Sequence, residues 1–142
     1  MKVAFSSDNH FDLNHIDVKR AMHAQALYLL NQNVQLYVIA GDSFNDFAET
    51  LSFAQEMQTL VQDKMAIRFI AGNHDMGKNV SYDELESDID PLYFHNKYID
   101  LTDDVRLIGN NGWYDYSFVG QDYTQAQIEQ FKKAFWFDRR ID

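Results

Sequence analysis

Three short polar segments hold the residue types from which a two-cation hydrolytic site can be built: Ser7-Asp8-Asn9-His10, Gly41-Asp42-Ser43 and Gly72-Asn73-His74-Asp75. Each follows directly on a short apolar run rich in β-forming residues. Asp8 and His10 stand two apart, so an extended backbone would place both on one face, with Asn9 on the other, and one cation could be gripped by the pair. Asp42 follows Gly41, whose missing side chain permits a close approach, and its carboxylate has two oxygens that can bridge two ions. Asn73 offers a neutral amide oxygen after a tight turn at Gly72. This mixture of oxygen and imidazole donors suits manganese, iron, zinc or nickel better than calcium.

The elements that must position these residues are legible as alternating strands and helices. Lys2 to Ser6 reads as a strand, and a helical pattern runs from about Ile16 to Asn31. Gln35 to Ala40 is a second strand, and behind it Phe47, Leu51, Ala54, Met57 and Val61 recur at helical spacing. Ala66 to Ala71 gives a third strand. The expected architecture is therefore α/β: three successive βα units with crossovers long enough for parallel pairing, around a mainly parallel sheet buried on both faces. In such a sheet the carboxyl ends of the strands converge on a crevice, which is where all three polar segments fall. Beyond Asp75 the pattern predicts a short helix around Tyr82 to Glu86 closed by Pro91, and a strand over Val105 to Ile108. That strand is expected to pair with Tyr114 to Val119 across an Asn110-Asn111-Gly112 turn, and a final amphipathic helix is marked by Ile128, Phe131 and Phe135.

The chain of 142 residues fits one domain, and 46% hydrophobic and 15% aromatic residues supply enough apolar material for a core. A formal charge of −10 argues against a general nucleic-acid or anionic-membrane surface, both of which need a positive field. The absence of cysteine excludes disulfides and thiolate metal sites. No signal-peptide pattern opens the sequence and no apolar run approaches a bilayer span, so a cytoplasmic location is the default expectation.

Asp8-x-His10, Gly41-Asp42 and Gly72-Asn73-His74-Asp75, in this order and each after a strand, resemble the motifs of the calcineurin-like metallophosphoesterase family. The resemblance implies one half of a four-layer α/β/β/α fold and two divalent metal ions. By that resemblance Asp8 and His10 hold the first ion, Asp42 bridges, Asn73 holds the second, and His74 binds the substrate phosphate and protonates the leaving oxygen. The implied reaction is hydrolysis of a phosphomonoester or phosphodiester by metal-activated hydroxide, with ions about 3.5 to 4 Å apart. Asp75 is expected to orient the His74 ring or to cap the segment that follows.

The family completes its metal site with a later histidine and a Gly-His-x-His segment, and its second sheet comes from that later part. Here only His95 follows His74. The expectation is therefore a single metallophosphoesterase-like domain over residues 1–142 that is an N-terminal fragment, with a second copy or a complementing chain as the other route to a full site. Two other classes share some of these features. A non-catalytic metal-binding or interaction scaffold would account for the missing histidines. A phosphoacceptor receiver domain also gathers acids at strand ends, but it requires an acceptor Asp where Asn73-His74 stands. Among the remaining candidates, His15 could reach the site from the loop after the first strand but reads more readily as a helix-start or surface residue, His23 as surface or core within the first helix, and His95, the only candidate for a later ligand, as structural. Asn45 and Asp46 read as the start of the second helix, with Asn45 also in reach of substrate.

Overall fold

The computed structural model describes residues 1–112 together with 123, 124, 126–128 and 130. Strands β1 (Val3–Ser6), β2 (Leu36–Ala40) and β3 (Ala66–Ile70) form a parallel sheet in the order β1-β2-β3. The register is regular, with Val3 opposite Leu36 and Leu36 opposite Ala66. The crossovers are α1 (Val18–Asn31) and α2 (Phe47–Val61), and the third unit carries only a one-turn helix, α3 (Tyr82–Leu85). The α/β class and the parallel βα order expected from sequence are what the chain adopts. No helix among the described residues is long and apolar enough to cross a membrane.

Local chemistry accounts for where the helices begin. Asp17 caps α1 by accepting the Arg20 amide at 3.1 Å, so the helix starts two residues later than its hydrophobic pattern suggests. Asp46 caps α2 by accepting the Ala48 amide at 2.9 Å, the helix-start role expected of it. Ser81 and Glu84 form a reciprocal capping box on α3. The end of α2 is tied to the next strand by Gln58, which donates to the carbonyls of Gln62 and Met65 and accepts from Ile67.

Burial on both faces holds for the central strand and fails at one edge. Leu36, Tyr37, Val38 and Ile39 are all buried, so consecutive residues of β2 are covered whichever way they point. In edge strand β1, Phe5 is 58% exposed. The other edge is extended by Leu92–Phe94: Phe69 donates to Leu92 at 3.0 Å and accepts from Phe94 at 2.8 Å. Beneath this edge Phe69 packs on Phe47 and Tyr93, with ring centroids 5.9 and 5.3 Å away. Burial pushes the Tyr93 phenol up to about 12, against a hydrogen bond from Asn111, so its hydroxyl stays neutral and donates to the Leu85 carbonyl.

Strand β5 (Val105–Gly109) is present as expected, and among the described residues it is antiparallel to a strand that the sequence reading missed, β4 (Lys97–Thr102). The outer face of this hairpin is held by polar and π contacts. Arg106 bonds Asp100 at 2.6 Å and lies 3.9 Å from the centre of the Tyr98 ring. The expected strand Tyr114 to Val119 and most of the final helix lie outside the described residues.

Phe69 is fully buried at the junction of the sheet, α2 and the Leu92–Phe94 edge. Phe69→Ala should therefore cost about 3–5 kcal/mol of stability, read from urea denaturation. A loss below about 1 kcal/mol would mean that this aromatic cluster is not the core of the sheet edge.

Candidate metal centre

Immediately after β1, β2 and β3 the chain enters three turns that are laced to one another. The first turn runs along the second through backbone bonds from Asp8 to Gly41 (3.1 Å), His10 to Asp42 (3.0 Å) and Phe11 to Ser43 (2.9 Å). Phe11, Phe44 and Phe53 then anchor both turns to α2, with ring centroids 5.0 to 6.0 Å apart. The second and third turns touch where two glycines meet. Gly41 has φ +85°, and a Cβ there would lie 2.7 Å from the Gly72 nitrogen. A Cβ on Gly72 would collide with the Asp42 carboxylate. The close approach anticipated at Gly41 is thus required at both positions.

Asp75 ties these turns together from below. Its carboxylate is wholly inaccessible to solvent and accepts five hydrogen bonds. Oδ2 takes the amides of Asp42 (2.6 Å) and Gly72 (2.9 Å), while Oδ1 takes those of Ser43 and Phe44 (both 3.2 Å) and the Thr50 hydroxyl (2.5 Å). Burial pushes this carboxyl above its ordinary range, and the hydrogen bonds from Thr50, Gly72, Phe44 and Asp42 oppose that rise. Asp75 does begin a 3-10 turn over Asp75–Gly77. Its side chain, however, is spent on the backbone of the second and third turns and on Thr50. The ring of His74 is held by a different residue, Asn45.

His10, Asp42 and His74 come together. Each brings a potential ligand atom within 4.8 Å of the other two, and all three are partly buried. The two imidazoles meet edge to face with centroids 4.5 Å apart. Asp42 Oδ1 accepts the His74 amide at 3.0 Å, fixing the carboxylate beside the third turn. Among the described residues, Nδ1 of His10 is buried without a hydrogen-bond partner. A divalent cation fits a cluster of two imidazoles and a carboxylate. The residues present therefore suit a metal ion.

Asp8 stands outside this triad. The backbone is not extended here: Asp8 and His10 have φ of 54° and 43°, so the alternation that would have put both on one face does not apply. Asp8 is exposed, whereas His10 is turned inward. Asp42 also has a positive φ, of 56°. Left-handed non-glycine residues cost of order 1–3 kcal/mol each and collect where surrounding structure overrides local preference, as the lacing of these turns does. Asn73 lies in the third turn between Gly72 and His74, partly buried.

Two residues of the site were missed or misread from sequence. His74 Nδ1 lies 2.6 Å from Asn45 Oδ1, so Asn45 faces the histidine through a contact that its role as a helix-start residue did not suggest. Asn45 is in turn held by Asp12, whose Oδ2 accepts both the backbone amide (2.9 Å) and the side-chain amide (2.8 Å) of Asn45. The other histidines are elsewhere. His15 and His23 are exposed, as expected. Both ring nitrogens of His95 are engaged, with Glu86 at 3.1 Å and the Asn111 amide at 3.0 Å, so it serves the local structure.

Asp75→Asn would turn an NH2 group toward buried donors now accepted by a carboxylate oxygen, whichever way the amide is oriented. It should destabilise the fold by about 1–3 kcal/mol in urea titrations. Unchanged stability would show that the five bonds are replaceable by water.

The sequence model described as calcineurin-like phosphoesterase matches residues 1–140. No match was found among curated proteins or among solved structures. With essentially the whole chain matched, and with its three motifs meeting at the strand ends as described, this protein belongs to the calcineurin-like phosphoesterase family.

Proposed function

We propose that the crevice above β1, β2 and β3 is a two-cation centre for hydrolysis of a phosphomonoester or phosphodiester. The observation that carries this reading is the convergence of His10, Asp42 and His74 from three separate strand ends. Family membership supports metal-dependent phosphoester hydrolysis in general, and the donor set supports a divalent transition ion. In the proposed arrangement Asp8 and His10 serve the first ion, Asp42 is shared, and Asn73 serves the second. Bound ions would polarise the phosphoryl group and supply a nucleophile near neutral pH.

The chain's own residues have separable tasks in this reading. Asp42 brings the one carboxylate of the triad, which offsets cationic charge that two neutral imidazoles cannot. His74 sits within reach of the same point and is proposed to contact the substrate phosphate and to hand a proton to the leaving oxygen. Asn45 keeps the His74 ring from rotating about its side chain.

Asp42→Asn should lower manganese affinity by at least tenfold in isothermal titration and abolish manganese-dependent hydrolysis of p-nitrophenyl phosphate and bis-p-nitrophenyl phosphate. Chelation of the wild type should have the same effect on hydrolysis. Manganese binding that survives Asp42→Asn would overturn the shared-ligand role. Binding without any hydrolysis would favour a metal-binding scaffold over an enzyme.

A further inference from the structure

The contact between Asp12, Asn45 and His74 determines more than the angle of a ring. A side-chain amide can ordinarily sit either way round, because its oxygen and nitrogen have the same shape. At Asn45 that freedom is removed. Asp12 Oδ2, which accepts the Asn45 backbone amide, also lies 2.8 Å from Asn45 Nδ2, so this oxygen acts as an acceptor and the amide must turn its NH2 group to Asp12. The Asn45 backbone amide at 2.9 Å on the same oxygen, and the Leu13 amide at 2.9 Å on Oδ1, hold the carboxylate in place. The carbonyl oxygen of Asn45 consequently faces His74 Nδ1, 2.6 Å away. A carbonyl oxygen donates nothing, so the hydrogen in that contact belongs to the imidazole.

We propose that Asp12 is a positioning residue that, acting through Asn45, selects the Nδ1–H tautomer of His74. The first strand-end turn thereby sets the chemistry of the third. In the neutral ring Nε2 then carries the lone pair and is the only nitrogen of His74 able to ligate a cation or to take up and return a proton. Without Asp12 the Asn45 amide could reverse, present its NH2 group to Nδ1, and move the lone pair to the nitrogen facing Asn45. The consequence for turnover rests on the phosphoesterase reading, but the tautomer itself does not.

Long-range 1H–15N correlation spectra of the metal-free protein in mildly alkaline buffer report the tautomer of each ring directly. Wild-type His74 should show a protonated Nδ1 and an unprotonated Nε2. In Asp12→Ala the pattern should shift toward the Nε2–H form, with His23 and His95 unchanged. Asp12→Ala combined with Asn45→Asp should restore the Nδ1–H form, because a carboxylate at position 45 has no donor face to present. If Asp12→Ala does not fold, Asp12→Ser, which no longer offers Asn45 an acceptor-only group, takes its place. An Nε2–H pattern in the wild type overturns the proposal, as does an unchanged His74 in a folded Asp12 variant. If the protein hydrolyses phosphoesters, Asp12→Ala should reduce turnover by about 10–100-fold, and the double variant should recover part of it. Absence of hydrolysis with the tautomer as proposed counts against the phosphoesterase reading alone.

Discussion

A carboxylate sealed from solvent needs donors on every side, and Asp75 finds them by drawing in the backbone amides of two turns that are distant in sequence. The geometry of the site follows from that demand. Because Oδ2 holds the amides of both Asp42 and Gly72, the ends of β2 and β3 cannot separate without stripping a buried charge of its partners, a loss of several hydrogen bonds at once. The two glycines are the steric condition for the same closeness, since a side chain at either would strike the other turn. The first turn is then added by its backbone bonds to the second and by the Phe11, Phe44 and Phe53 cluster. Packing, buried hydrogen bonds and positive φ at Asp8, His10 and Asp42 all serve one end, the meeting of three strand ends.

This arrangement separates what is rigid from what is reactive. Asp75 and the aromatic cluster lie beneath the strand-end turns and are shielded from water. His10, Asp42 and His74 stand at the turns themselves and are partly buried. A site that binds cations gains from such preorganisation, because the ligands need not be gathered from a disordered state when the ion arrives. Asp8, exposed and on a backbone turned left-handed, lies outside the His10, Asp42 and His74 cluster.

Much of this is legible in the sequence. Apolar runs followed by Asp, Asn and His mark the strand ends, and the helical spacing behind Phe47 marks α2, because both patterns are local and each follows from one element burying one face. What could not be read is held by pairs far apart in sequence. Nothing near Asp75 indicates that its partners are the amides of Asp42, Ser43 and Phe44, and nothing near Asp12 points to Asn45. The misreading at Asp8 and His10 has a different origin: alternation applies only to extended backbone, and β1 ends at Ser6. Strand β4 escaped notice because Lys97 to Thr102 contains no apolar run. It depends on its partner strand and on contacts such as that of Arg106 with Asp100 and Tyr98.

Three strand-end turns meet in a single cation-binding centre. Titration with manganese(II), followed by paramagnetic broadening of the histidine ring resonances, tests it most directly. His10 and His74 should broaden together at the lowest metal concentrations while His23 and His95 remain sharp. Broadening that reaches all histidines alike, or that spares His10 and His74, would contradict it.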